Sequence, residues 1–233
     1  MKMKIIFPVI LLLITTISCK KEKDNQNNCR INRIINGTGT YEFNYGNDGK
    51  LSTMVLLPDN EKSTYEYDGK TTTITVTKNG NFRRRWIITN NNNGFASNIL
   101  LHENESGSDW YNQAITYEGK RMVRNKVTDS GGDSATGYYI WEGGNPVVFI
   151  NQGDMIHYDY YEEKKWQIGD WRNIQQLITG YKTYEYENLF KSSEINGNWT
   201  YYTYLYDEAG RVIEATGMSK NITNVYTIEY ACK

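Results

Sequence analysis

The sequence predicts an all-β fold, an antiparallel meander of about eight β-hairpins, and three observations carry that prediction. Aromatic residues make up 14% of the 233 residues, with 20 tyrosines and 6 tryptophans against 3 prolines, a composition suited to pleated, half-buried surfaces. Polar and apolar residues alternate with a period of two in Tyr41-Glu42-Phe43-Asn44-Tyr45, Thr64-Tyr65-Glu66-Tyr67, Thr71-Thr72-Thr73-Ile74-Thr75-Val76, Thr183-Tyr184-Glu185-Tyr186 and Tyr202-Thr203-Tyr204-Leu205-Tyr206. Such runs set one strand face on a core and the other in water. A turn signature then recurs: Tyr45-Gly46-Asn47-Asp48-Gly49-Lys50, Tyr67-Asp68-Gly69-Lys70, Tyr117-Glu118-Gly119-Lys120, Trp141-Glu142-Gly143-Gly144-Asn145 and Tyr206-Asp207-Glu208-Ala209-Gly210-Arg211. Asp, Asn and Gly accept the left-handed backbone of a tight reversal, and the flanking aromatic packs across the strand pair.

The aromatic ahead of each turn stands at positions 45, 67, 117, 141 and 206, so the gaps are 22, 50, 24 and 65 residues, near multiples of about 23. Degenerate units fill the long gaps: Thr89-Asn90-Asn91-Asn92-Asn93-Gly94-Phe95 in the first, and Tyr160-Tyr161-Glu162-Glu163-Lys164 and Tyr186-Glu187-Asn188-Leu189 in the second. A meander of this length curves because strands twist. It ends as a curved open sheet, a sandwich or a closed barrel, and only closure removes the exposed edges. One segment breaks the β pattern. Asp170 as N-cap, Gly180 as C-terminal cap and an apolar face of Trp171, Ile174, Leu177 and Ile178 predict a short helix near 170–179. It either plugs an open end of the sheet or serves as a capped connection.

The first residues read as a targeting segment. Lys2 and Lys4 precede an apolar run from Ile5 to Ile14 that ends in Thr15, Thr16 and Ser18, the anatomy of a secretory signal and too short for a spanning helix of about 20 residues. Thr16-Ile17-Ser18-Cys19 resembles the lipobox of bacterial lipoproteins, in which the cysteine is acylated and the signal cut before it. The expected organisation is therefore a signal peptide over 1–18, a flexible polar tether over 19–28, and a single β-repeat domain over 29–233. Several acyl chains on Cys19 would anchor the chain durably to the outer membrane, on its periplasmic face or at the cell surface.

Removing 18 residues leaves 215, and losing Lys2 and Lys4 takes the formal charge from −1 to −3. Near-neutral charge with both signs interspersed offers no clustered basic face, so no nucleic-acid partner is expected. Arg83-Arg84-Arg85 is the one basic cluster, and a strand points Arg84 away from its neighbours. Of the remaining thiols, Cys29 opens the domain and Cys232 nearly ends it. In an oxidising compartment they form a disulfide worth up to ~5 kcal/mol, or stay as two buried thiols.

The chemistry-bearing residues are sparse. Two histidines, His102 and His157, exclude a multi-histidine metal site, and no metal or cofactor is expected. His157 and Asp159 share a strand face and so form a candidate acid–base pair, weighed against two strand residues that align by chance. Asp154, Glu162, Glu163 and Asp170 fall in the least repeat-like stretch, where a glycosidase-like carboxylate pair would first be sought. No phosphate-cradling loop, serine nucleophile elbow or Cys/His cluster is present, and no catalytic residue is assigned. Binding is the leading class, with Trp110, Trp141, Trp166, Trp171 and Trp199 as ligand-stacking candidates.

Tyr204-Leu205-Tyr206-Asp207-Glu208-Ala209-Gly210-Arg211-Val212 is similar to the tyrosine–aspartate repeat of Rhs-type wall and toxin-shell proteins. Together with the lipobox and the Trp141-Glu142-Gly143-Gly144-Asn145 unit, it resembles Bacteroidetes lipoproteins carrying a DUF4595-like domain. That resemblance implies a repeat architecture and an envelope location, and no known activity. The expected function is a membrane-anchored module presenting an aromatic β surface to glycan or an envelope protein; the alternatives are a carboxylate-based glycan hydrolase and a structural envelope component.

Overall fold

The computed structural model describes residues 29–232; the predicted signal peptide over 1–18 and the predicted tether over 19–28, Cys19 included, lie outside the described residues. The strands are β1 (Cys29–Asn36), β2 (Gly39–Tyr45), β3 (Leu51–Leu57), β4 (Glu61–Asp68), β5 (Thr71–Lys78), β6 (Asn81–Asn90), β7 (Ala96–His102) and β8 (Trp110–Glu118). They continue as β9 (Arg121–Asp129), β10 (Ser134–Glu142), β11 (Asn145–Asn151), β12 (Asp154–Lys165), β13 (Asn188–Ile195), β14 (Asn198–Tyr206), β15 (Val212–Ser219) and β16 (Ile222–Cys232), with helix α1 (Trp171–Thr179) between β12 and β13. Each strand pairs antiparallel with the next, and β1 pairs with β16 through Arg30↔Ala231 and Ile34↔Ile228. Of the three endings open to the meander, the chain takes the closed barrel: sixteen strands, eight hairpins and no free edge.

Alternation decides which residues face the lumen. Buried and half-buried partners run around the wall as Ile34↔Tyr41, Phe43↔Met54, Ser63↔Val76, Tyr65↔Ile74, Ile88↔Ile99 and Ala215↔Tyr226. The intervening residues face out and mix threonine and charge with exposed apolar side chains, among them Tyr138, Ile140, Tyr201, Leu205, Met218 and Val225. Arg33 lies between Glu42 and Glu229, with Nη1 2.9 Å from Glu229 Oε2; Thr75 sits between Thr64 and Arg85, and Val55 opposite Lys62. Strand β5 shows the rule in one run: Thr72, Ile74 and Val76 are buried, while Thr71, Thr73 and Thr75 lie on the other face.

The aromatic–turn signatures all fall at one end of the barrel, the end that also carries Cys29 and Cys232. There, in six of the eight hairpins, an aromatic of the second strand donates to a carbonyl of the first: Tyr45 to Ile31, Tyr67 to Leu51, Tyr117 to Ala96, Trp141 to Met122, Tyr204, two residues before the signature Tyr206, to Phe190, and Tyr230 to Val212, at 2.7–2.9 Å. This bond explains why an aromatic with a polar tip recurs at the position. At the opposite end Asn79-Gly80 and Asn196-Gly197 reverse the chain with both residues at positive φ, the two-residue hairpin geometry that Asn-Gly favours.

The repeat reading needs one correction. Asn91 and Gly94 do form a turn between β6 and β7, with Gly94 N bonded to Asn91 O, but Tyr160 to Lys164 runs straight on within β12. The 65-residue gap therefore holds one turn position, occupied by the insertion 166–187, and not two degenerate turns. The same end holds the disulfide Cys29–Cys232, S–S 2.00 Å, closing a sequence separation of 203. Replacing both cysteines by serine is expected to lower stability by about 2–5 kcal/mol through the longer-leashed unfolded chain, seen as an earlier urea midpoint with an unchanged far-UV spectrum.

Candidate functional site

Insertion 166–187 enters the lumen from the signature end and returns to the wall, its two ends joined by Trp166 N to Glu187 O at 3.0 Å. Of the two roles open to the helix, it takes the plug. Asp170 caps it, its Oδ1 accepting from Asn173 N at 2.8 Å, and Gly180 ends it at φ 78° with its N–H on Gln176 O. A side chain at Gly180 would meet Tyr65 and Ile74 within 2.7 Å, so glycine answers both the left-handed backbone and the close approach to the wall. The plug touches the wall on opposite sides: Trp171 stacks on Tyr202 at 5.0 Å, Tyr181 lies against Trp86 and Tyr184 against Trp141, while Ala96 N bonds Lys182 O and Tyr117 Oη bonds Thr183 O.

Asp170 is fully buried. Besides Asn173 N its carboxylate accepts from Tyr186 Oη and from Phe190 N at 3.4 Å. Burial pushes its pKa up to about 6, against the lowering effect of those hydrogen bonds and of Arg172. Ionisation thus costs more in the folded state than in the unfolded chain. The stability linked to this carboxyl is complete below the ordinary 3.8 and is lost as pH rises through about 6. Wild type should lose roughly 3 kcal/mol across that window, and Asp170→Asn should show no such slope when urea midpoints are compared at several pH values.

Arg172, two residues on, is the cation that the plug carries into the lumen. Its guanidinium lies 4.4 Å from the Tyr158 ring centroid and 4.5 Å from that of Phe190. Burial opposes its charge, and the oxygens of Tyr184, Tyr158 and Tyr160 outweigh burial, so it stays protonated. Among the described residues no carboxylate forms an ion pair with it. Nη1 has a long bond of 3.3 Å to Gln175 Oε1, the Tyr158 side chain also hydrogen-bonds to the guanidinium, and Nε is buried without a partner. Beside it opens a cavity of about 270 Å³ between the plug and the wall of β8 to β10, lined among others by Gln113, Gln176, Thr179, Tyr139, Tyr181 and Tyr184. A concavity of about 510 Å³ over the β1–β2 seam is larger, but its Arg33 is neutralised by Glu42 and Glu229 and its Arg30 lies over the Tyr45 ring. The smaller cavity is the better candidate.

The tryptophans named from sequence do not form one platform. Trp141 and Trp171 face the lumen and are partly buried; Trp166 sits at the root of the plug, edge-on to Tyr186 at 6.3 Å. Trp199 is exposed beside Tyr201, stacked at 5.8 Å, and Trp110 begins β8 opposite His102. His157 and Asp159 both lie on β12, yet Asp159 accepts from Ser192 Oγ at 3.1 Å and His157 pairs across to Val148 and Glu194. Asp154, Glu162 and Glu163 are exposed, and of the four acids in this stretch only Asp170 enters the lumen. Arg84 turns from its neighbours to Glu61 at 2.9 Å. Sequence reasoning did not single out Arg172, because its isolation from carboxylates is a property of the lumen; its place on the predicted helix was the only signal.

No family model matches the chain, and no curated protein matches it. Among solved structures it is similar to a porin-like protein from Bacteroides uniformis, with 11% identity and a TM-score of 0.64 over 86% of this chain and 96% of that one. A porin-like protein from Bacteroides vulgatus aligns at 13% identity and a TM-score of 0.59, over 86% and 98%. At such identities the likeness is one of fold.

Proposed function

We propose that this protein is a lipid-tethered binding module of the outer membrane whose barrel stands in water and takes its ligand at the plugged mouth of the lumen. The observation that carries this reading is the polarity of the wall. A membrane-spanning barrel presents an apolar band to lipid and a polar interior. Here Arg33, Glu42 and Glu229 sit together on the outer face, with Lys62, Arg85, Lys126 and Glu214 on the same face of other strands, so charges interrupt the outward apolar residues Tyr138, Ile140, Tyr201, Leu205, Met218 and Val225, and the lumen holds Ile34, Met54, Ile74, Ile88 and Ile99 where a channel would be polar. Each outward Arg or Lys would cost about 2–4 kcal/mol at a bilayer midplane. Several strands have 7 or 8 residues, short of the roughly 9–11 that span a bilayer.

The lumen speaks against conduction. Barrels of 16–18 strands commonly leave an aqueous channel, and this one is packed by the insertion and the inward rings of its wall. Binding then falls to the cavity beside the plug, with acyl chains on Cys19 holding the module at the membrane. Its hairpins are read as tyrosine–aspartate-like repeats of the DUF4595-like lipoproteins. In Triton X-114 partitioning, full-length protein should enter the detergent phase and take up labelled palmitate. Cys19→Ala should enter the aqueous phase with its barrel folded. A folded Cys19→Ala variant that stays with detergent would overturn the water-facing barrel.

A further inference from the structure

We infer that the cavity beside Arg172 is a site for a hydroxylated monoanion the size of a single ring, of the hexuronate class, with its carboxylate on the guanidinium edge. The inference rests on the reading that ligand is taken at the plugged mouth. Both rings that pack on Arg172, those of Tyr158 and Phe190, meet the guanidinium carbon at under 5 Å, so the edge is the direction left for an anion. A guanidinium edge is a fork matched to a planar carboxylate. None of the residues lining the cavity is acidic, and the adjacent Asp170 has its oxygens engaged by Tyr186, Asn173 and Phe190. Asp170 is coupled to this cation only through space and pairs with none of its nitrogens, so a bound carboxylate would supply the direct partner that a half-buried guanidinium lacks.

The remainder of the lining says what the anion is attached to. Gln113, Gln176 and Thr179 offer amides and a hydroxyl that both donate and accept, the pairing that ring hydroxyls need. Tyr139, Tyr181 and Tyr184 add ring surface against which the C–H face of a sugar can lie. A volume of about 270 Å³ falls just under the roughly 300–1,000 Å³ of sites for drug-sized ligands, enough for one ring and short of a chain. Thr179 is exposed, so the site is reached from solvent.

The test titrates the full mature chain with D-glucuronate, methyl β-D-glucuronoside, D-glucose and benzoate, following side-chain amide resonances of glutamine by NMR and heats by calorimetry. Glucuronate should saturate and shift the Gln113 and Gln176 amides, with glucose and benzoate at least tenfold weaker. Arg172→Met should lower glucuronate affinity at least tenfold and leave glucose unchanged. Arg172→Lys, which keeps the charge and loses the fork, should fall between them, and wild-type affinity should weaken as salt rises. Comparable affinity of the methyl glucuronoside would assign the site to a chain-terminal residue, and its failure to the free acid; either outcome supports the site. Equal binding of glucose and glucuronate, or a wild-type affinity indifferent to salt, overturns the anion site while leaving the mouth as a binding surface. Silence from every probe overturns both.

Discussion

Excising residues 167–186 and joining Trp166 to Glu187 through Asn-Gly is expected to leave a chain with no cooperative unfolding transition. The join itself is feasible, because Trp166 N already bonds Glu187 O at 3.0 Å and the strands on either side are paired. What is lost is the centre of the core. Ile174, Tyr184 and Tyr186 are buried, and Trp171, Leu177, Ile178 and Tyr181 pack against the same cluster. At about 1.5–3 kcal/mol for each fully buried side chain, the loss is on the order of 10 kcal/mol, comparable with the roughly 5–15 kcal/mol that holds a whole domain folded. Water would also meet Tyr65, Ile74, Trp86, Tyr139 and Val212 from the inside. Near-UV circular dichroism should collapse while far-UV signal persists, with dye binding to exposed apolar surface. A sharp transition with a native near-UV spectrum would mean that the wall stands alone as a hollow barrel, and would remove the argument that the lumen is a packed core.

The second large effect is at one carboxylate. Asp170→Ala is expected to cost about 3–5 kcal/mol, because two buried donors, Tyr186 Oη and Phe190 N, lose their acceptor and the helix loses its cap on the half-buried Asn173 N. Asp170→Asn keeps an acceptor and the cap, and should cost less than half as much near neutral pH, where the wild-type carboxyl must ionise in a buried setting. Urea unfolding of the three proteins at pH values either side of about 6 checks both statements. If alanine and asparagine prove equivalent, the plug is held by its apolar face and not by this carboxyl.

Much of the architecture was legible because local chemistry determines it. Period-two alternation named β4, β5 and β14 by their residues, and the helix caps Asp170 and Gly180 stand where predicted. The spacing of about 23 residues was legible where the aromatic reaches back one strand to a carbonyl, as Tyr45, Tyr67, Tyr117 and Trp141 do. The far-end reversals carried an equally local signal in Asn79-Gly80 and Asn196-Gly197. What misled was the 65-residue gap. Tyr160 and Tyr186 both look like repeat aromatics; their roles diverge only because the chain between them leaves the wall.

The sequence by itself therefore determined the β class, the alternation of β2, β4, β5 and β14, much of the turn chemistry and the helix, all of which depend on neighbours within a few residues. Thr183-Tyr184-Glu185-Tyr186 alternates like a strand but is irregular chain on the returning arm of the plug, where no neighbouring strand pairs with it. Tertiary structure alone decided that β1 meets β16, that the helix lies inside the barrel, and that Arg172 packs against rings with no carboxylate in ion pair with it. Those are properties of residues far apart in the chain. Whether a curved meander closes depends on the summed twist and stagger of all its strands and on a filling for the space it encloses. The charge balance of the lumen depends on which side chains that closure brings together.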